Sequence, residues 1–204
     1  IGGDFTQVDG QSRPRIARLN PNGSLDSTFT PGTAANGAVR VIHLDGTGNV
    51  YVAGDFTTFS STLRSRIAKM DGNGALDTTW DPGSLINGSI RAMVVDDTGN
   101  NFILGGAFTD VGGVSGPDYL AKLSIAGAAV VNFNGASPFN PTLNSPVNAI
   151  VVQANTKVII AGEFTTVNGL VRNRIARITS VGLTDLDINF GDGANGVIRA
   201  LALD

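Results

Sequence analysis

The tetrapeptide Gly54-Asp55-Phe56-Thr57 decides the fold of this chain, because it recurs along the sequence at nearly constant spacing. Its other copies are Gly3-Asp4-Phe5-Thr6, Gly106-Ala107-Phe108-Thr109 and Gly162-Glu163-Phe164-Thr165. The Phe positions are separated by 51, 52 and 56 residues, and this recurrence predicts that all four Phe side chains are buried at equivalent positions of successive repeats. A tandem repeat of this length indicates an architecture in which each unit buries its apolar face against its neighbours.

Further matches recur in the same phase and establish the repeat. The motif Arg-Ile-Ala-Arg and its variants follow each Phe by ten or eleven residues, at 15–18, 66–69, 119–122 and 174–177. A Leu-Asp pair leads to an aromatic residue and Pro-Gly at 25–32 and 76–83, with Phe139 and Phe190 as looser counterparts. An Asn-Gly pair precedes an apolar residue and Arg at 36–40, 87–91 and 195–199.

Each unit is predicted to form four short antiparallel strands. Residues 90–95 and 101–106 are apolar runs separated by an Asp-, Gly- and Asn-rich turn, a pattern typical of a buried hairpin. Residues 66–70 alternate polar and apolar side chains, and residues 75–80 follow across an Asp-Gly-Asn-Gly turn. The expected fold class is all-β: a β-propeller, or a propeller segment, of four tandem four-stranded blades.

The amino-acid composition excludes several classes of function and site. The chain has 204 residues, a net charge of −3, no Cys and one His. A generally basic nucleic-acid binder is excluded, as are disulfides and zinc–cysteine sites, and no apolar run reaches membrane-spanning length. The acids comprise 16 Asp and one Glu, and Gly reaches 27 residues, which suits turns better than helices. We therefore expect a non-enzymatic protein without cofactor or metal.

Residues 1–204 are expected to form one repeat domain, cut as a window from a longer chain. Ile1 aligns with Val52 and Asp204 aligns with Asp45, so the two ends fall on either side of one hairpin of the repeat, and only the counterparts of residues 46–51 are missing. If the ring closes at four units, residues 198–203 are expected to pair with residues 1–6, because unpaired strand edges promote aggregation.

These motifs resemble the bacterial delta-sixty repeat, a propeller-type repeat of large secreted or cell-surface proteins. The resemblance spans the chain and is weakest in the third unit. It implies export to the bacterial cell surface or beyond, and no catalytic residues follow from it. The expected function is a structural or protein-interaction module of an adhesin, fibre or envelope assembly, with other subunits or other domains of the same chain as partners. The alternatives are a glycan-binding propeller module and an enzyme with its active site at the channel mouth.

Acids and arginines at repeat positions form the first candidate site. They are expected to be a structural network rather than a binding ring, because an unpaired buried charge is costly. In the third unit Ala107 replaces the acid and Tyr119 replaces the arginine, so both charges are lost together. The network comprises Asp4, Asp55, Glu163, Arg15, Arg66 and Arg174.

Acidic turns such as residues 45–49, 71–74 and 96–100 superficially resemble calcium loops. None has the distal Glu of a calcium motif, and Asp, Asn and Gly are also the residues of plain hairpin turns. Plain turns are therefore expected, with a bound calcium as the alternative. His43 lies in an apolar strand and is expected to face the core or the channel.

The segment of residues 126–138 departs most from the repeat and is the candidate partner contact. A loop outside the blade pattern can gain a contact without disturbing the core. Its apolar and amide side chains suit a protein or glycan surface: Val130, Val131, Asn132, Phe133 and Asn134.

Overall fold

The computed structural model describes residues 1–83, 86–111, 114–115, 119–126 and 141–204. Its contacts divide the chain into two compact structural units, the first unit (Ile1–Ser84) and the second unit (Leu85–Asp204). Each structural unit contains two of the four sequence repeats. Every regular element in the described part is a β-strand, so the chain is all-β as predicted. No helix long and apolar enough to cross a membrane occurs among these residues.

The first unit contains one three-stranded sheet and two short hairpins. Its strands are β1 (Gln7–Val8), β2 (Gln11–Ser12), β3 (Val39–Leu44), β4 (Val50–Gly54), β5 (Thr58–Phe59), β6 (Thr62–Leu63) and β7 (Ile67–Met70). The sheet has the order β3-β4-β7 and is antiparallel. The hairpins β1-β2 and β5-β6 were not predicted from the sequence pattern, because two-residue strands are too short to show a period.

The second unit repeats this plan twice. Its strands are β8 (Ile90–Val95), β9 (Asn101–Gly106), β10 (Asp110–Val111), β11 (Val114–Ser115), β12 (Leu120–Ser124), β13 (Val147–Val152), β14 (Val158–Gly162), β15 (Thr166–Val167), β16 (Leu170–Val171) and β17 (Ile175–Ile178). The sheets have the orders β12-β9-β8 and β13-β14-β17, and β10-β11 and β15-β16 are hairpins.

A β-bulge distinguishes the first strand of each three-stranded sheet. The register skips one residue in β3, β8 and β13, at Arg40, Arg91 and Asn148. A bulge bends the strand and redirects the side chain of the extra residue. The bulge therefore sets the direction of the arginine side chain at this position in β3 and β8.

Where the sequence predicts a fourth strand, the structure has a single bridge. Met70 bridges Leu76 in the first unit, and Ile178 bridges Thr184 in the second. After Leu76, the Asp77 carboxylate accepts the backbone N–H groups of Thr79 and Trp80 and bends the chain out of the ladder. The sheets that end in β7 and β17 are thus three-stranded with one bridged segment, and the corresponding segment after β12 lies outside the described residues.

The repeat Phe residues lie in the core in three of four copies. Phe56, Phe108 and Phe164 are completely buried, as predicted. The prediction is wrong for Phe5, which is half-buried. Its segment, residues 1–6, joins its neighbour through one bridge, Gly2 to Ile16, and has no inner strand of the β3 type in the described part of the chain.

Residues 198–203 belong to no strand, although their sequence matches β3 and β8. Pairing of this segment with residues 1–6 therefore stays a prediction, as does the grouping of both units in one ring of four blades.

The buried Phe positions should contribute unequally to stability. Phe56 packs edge-on against Phe59 with ring centroids 5.8 Å apart, so Phe56→Ala should lower the free energy of unfolding by about 3–5 kcal/mol, from lost burial and the cavity left behind. Phe5→Ala is the matched control and should cost clearly less. Urea denaturation of both variants measures the difference, and equal losses would contradict the packing described.

Candidate functional site

In three copies of the repeat motif, the glycine and the residue after it contact the backbone carbonyl that directly precedes the first strand of the same sheet. A Cβ atom at Gly54 would lie 2.0 Å from the carbonyl oxygen of Ala38, so only glycine fits there. The same carbonyl accepts the N–H of Asp55 at 2.8 Å. Equivalent contacts join Gly106 and Ala107 to Ser89, and Gly162 and Glu163 to Pro146.

The Asp55 carboxylate is held by Arg40, on the bulge of β3. The Arg40 Nε and Nη2 atoms donate to Oδ1 and Oδ2 of Asp55 at 2.8 and 2.6 Å, a bidentate pair. Hydrogen bonding to Asp55 raises the pKa of Arg40. Arg66, which the repeat also suggested as a partner, instead donates to the backbone carbonyl of Asp55.

The repeat arginine after each Phe adopts a left-handed backbone. The φ angles of Arg15, Arg66 and Arg174 are 69°, 71° and 70°, and Tyr119 has 68° at the same position. Such conformations are costly for residues with a side chain. Each guanidinium donates to the carbonyl of its repeat acid: Asp4, Asp55 and Glu163 respectively. Arg15 also contacts the Asp4 carboxylate at 3.0 Å.

In the second unit the ion pair crosses from one sheet to the next. The sheet of β8 and β9 has Ala107 in place of an acid. Its Arg91 donates instead to Oε1 of Glu163 at 2.7 Å and to Oδ1 of Asn148 at 2.8 Å. Asn148 occupies the arginine position of its own sheet, so no arginine at that bulge binds Glu163, and Arg91 binds it instead. Ala107 in one sheet and Asn148 in the next therefore compensate each other. The sequence analysis expected the acid and the arginine to be lost together within one repeat, and it did not predict this pairing between sheets.

A second row of ion pairs was missed by the sequence analysis. The last residue of the Arg-Ile-Ala-Arg motif pairs with an Asp eight residues later: Arg18 with Asp26 at 2.8 Å, Lys69 with Asp77 at 3.0 Å, and Arg177 with Asp185 at 2.6 Å. The sequence signal for these pairs was the constant eight-residue spacing between the basic residue and the acid.

An asparagine clamp was also missed. The Asn36 Oδ1 accepts the N–H groups of Thr57 and Thr58, at 2.8 and 3.0 Å. Asn87 and Asn144 hold the corresponding residues of the second unit in the same way. The Asn of the Asn-Gly motif therefore anchors the segment that follows the repeat Phe.

The acidic turns are built as hairpin turns. The Asp45 carboxylate accepts hydrogen bonds from the backbone and side chains of Thr47 and Asn49, and Asp71 accepts the N–H groups of Asn73 and Ala75. No group of three metal-ligating side chains lies together in the described residues.

His43 lies beside an aromatic pair. Its ring centroid is 6.2 Å from that of Tyr51, which packs edge-on against Trp80 at 5.5 Å. His43 is half-buried, as expected, and both aromatic partners are buried. Burial raises the pKa of Tyr51.

The candidate partner residues 130–134 lie outside the described residues, so their contact role stays a prediction.

An apolar cleft completes the candidate site. The cleft, of about 330 Å³, lies in the first unit, and its lining includes Ile1, Ile16, Phe29, Ile42 and Leu44. Ile1 and Leu44 are 53% and 66% exposed. The cleft is thus an exposed apolar surface of the first unit.

Comparison with known families supports the propeller-type repeat. Residues 1–29, 46–79 and 153–186 match the model of a domain of unknown function, DUF5122, described as a beta-propeller. These segments each begin near the Gly-acid motif or the hairpin before it. A comparison with curated proteins finds no match.

The crossed ion pair can be tested by a double-mutant cycle. Arg91→Ala and Glu163→Gln should show a coupling of about 0.2–1 kcal/mol, because both side chains are partly exposed. Arg172 donates to the carbonyl of its neighbour Val171, so a cycle of Arg172→Ala with Glu163→Gln should show no coupling. Equal coupling in both cycles would refute the pairing.

Acid should weaken the fold. Burial alone would raise the pKa of Asp96, but hydrogen bonds from Thr98 and Asn101 and the Lys122 ammonium lower it to about 2, from an ordinary 3.8. The unfolded state therefore binds more protons in this interval, and stability should be lost as pH falls from about 4 towards 2. Thermal denaturation across this pH range measures the loss.

Asp96→Asn should flatten that pH dependence and cost about 1–3 kcal/mol at pH 7, because the buried carboxylate no longer serves its donors. Asp97→Asn, at the exposed neighbouring position, should leave both the stability and its pH dependence nearly unchanged. A pH profile of Asp96→Asn identical to that of the parent would show that this carboxylate is not responsible.

Proposed function

We propose that the chain is a non-catalytic structural or protein-interaction module of a large extracellular or cell-surface bacterial protein. It is built from four tandem blades of the delta-sixty type, each with four strand segments. Its host protein is an adhesin, a surface fibre or an envelope assembly. Its partners are other subunits or other domains of the same long chain.

The observation that supports this proposal is how the repeat charges are used. Arg40, Arg66 and Arg91 are directed at repeat acids or their carbonyls. Arginines that donate to repeat acids or their carbonyls hold neighbouring repeat segments together, which is the role expected of a rigid structural module. The Asn36 clamp serves the same end.

Surface location has a direct test. On intact cells of the producing bacterium, added protease should remove an epitope within this chain, while a cytoplasmic marker stays intact. An epitope that is cut only after cell lysis would contradict the extracellular assignment.

The partner contact is assigned to residues 126–138. Shortening this segment to the seven-residue length of residues 74–80 should weaken assembly or surface binding by about tenfold or more, since few residues carry most interface energy. A length-preserving variant, Val131→Ser with Phe133→Ser, should lose binding equally, because it removes the apolar side chains alone. Undiminished binding by correctly folded variants would count decisively against this contact, and binding to isolated surface polysaccharide would favour the glycan-binding alternative.

A further inference from the structure

Arg64, directly after β6, binds a carboxylate of its own repeat. Its Nη1 atom donates to Oδ2 of Asp81 at 3.2 Å, and the Arg64 side chain is 4% exposed. The other carboxylate oxygen of Asp81 accepts the Gly83 N–H at 3.0 Å. In the described structure, every acceptor of the Arg64 guanidinium belongs to this same repeat. One arginine and one glycine N–H therefore form a carboxylate site within a single repeat.

The first repeat has the same two donors without the acid. Arg13 and Gly32 each lie 51 residues before their counterparts, and Thr30 stands at the position of Asp81. The Arg13 Nη1 atom donates to the Ser12 carbonyl at 2.8 Å, and this is its one hydrogen bond to a described residue. Its Nε atom is buried and has no hydrogen-bond partner among the described residues.

A cavity of about 200 Å³, here called the Arg13 pocket, lies at these donors. Its lining includes Arg13, Pro14, Phe29, Thr30 and Gly32. A water molecule takes up about 30 Å³ of the liquid, so the pocket has room for an acidic side chain. The acids of this repeat that form ion pairs, Asp4 and Asp26, are bound by Arg15 and Arg18. The chain thus fills the site beside Arg64 with its own acid and leaves the Arg13 pocket without one.

The wall of the Arg13 pocket is held in place by the second repeat, within the same structural unit. The Thr30 N–H donates to the Asn73 carbonyl at 2.8 Å, and the Ser60 hydroxyl donates to the Pro31 carbonyl at 2.7 Å. Gly32 has the left-handed backbone of its counterpart, with a φ of 64° against 93°. Because the turn is already fixed, little conformational entropy is lost when a ligand binds there.

We propose that the Arg13 pocket binds an Asp or Glu side chain of a partner protein. The ligand carboxylate accepts the Arg13 guanidinium and the Gly32 N–H, the two donors whose counterparts hold Asp81. An acidic side chain is the occupant that the repeat itself indicates, because the filled site contains Asp81 of an Asp-Pro-Gly turn. The proposal rests on the proposed interaction role and names the chemistry of the partner.

Peptide titrations followed by NMR of the arginine Nε–H groups test the proposal in the intact chain. The probe is acetyl-Asp-Pro-Gly-amide, and acetyl-Asn-Pro-Gly-amide is its neutral match. The Asp peptide should shift the Arg13 signal, which Arg13→Lys identifies by removing it, in a saturable way. The Asn peptide should bind about tenfold more weakly or worse. Thr30→Asp supplies the acid from the chain itself and should weaken peptide binding by a similar factor, whereas Thr30→Asn should leave it nearly unchanged.

A chain that shows no saturable shift with the Asp peptide would overturn the proposal, and so would equal binding of the two peptides. Acetate or inorganic phosphate that binds as tightly as the Asp peptide would identify a free small anion as the occupant and overturn the protein partner. If Thr30→Asp does not fold, Arg13→Gln gives the same test by calorimetry and should abolish peptide binding. The protease test of surface location does not depend on any of these outcomes, so the two proposals fail separately.

Discussion

The close approach of a bulged strand to the Gly-acid step is the constraint on which the rest of this structure depends. The Ala38 carbonyl occupies the space that a side chain at Gly54 would need, and it also accepts the Asp55 N–H. Because the bulge at Arg40 sits directly beside this contact, backbone packing and ion pairing are set by the same few atoms. The glycine of this step recurs in all three described sheets, as Gly54, Gly106 and Gly162, whereas the acid is replaced by Ala107 in one of them.

That constraint explains why the charges form pairs. A bulge directs Arg40 towards the acid beside the glycine, which gives two hydrogen bonds in one plane. Where the acid is absent, at Ala107, the bulge still presents Arg91, and the guanidinium reaches the acid of the following sheet. The network therefore tolerates loss of one charge when a neighbouring copy supplies its complement. Such tolerance suits a structural array better than a catalytic centre, which needs one fixed geometry.

Burial of the repeat Phe follows from the same geometry. Wherever the inner strand is present, the repeat Phe is completely buried, as for Phe56 and Phe164, whereas Phe5 is only half-buried. The inner strand therefore sets both the backbone contact at the repeat glycine and the burial of the Phe beside it.

Local patterns were sufficient to predict the all-β class, the repeat and the main strands. The apolar runs at residues 90–95 and 101–106 coincide with β8 and β9, because strand period and turn residues are properties of adjacent positions. The recurrence of acids and arginines also predicted that they interact, and the structure shows this for Arg15 and Asp4, whereas Asp55 pairs with Arg40. After β7 the predicted fourth strand is reduced to a single bridge, because the Asp77 carboxylate accepts the Thr79 N–H and competes with the ladder, which apolar periodicity does not reveal.

Tertiary structure decided which charges meet. Arg91 and Glu163 are 72 residues apart, and their pairing depends on a bulge and on the packing of one sheet against the next. The bulge is a one-residue shift in register, which leaves no mark on the alternation of apolar residues. The half-buried position of Phe5 was equally hidden, because its motif is the same as that of the buried copies. A sequence states which residues recur, whereas only the folded chain shows which recurrent surface is covered.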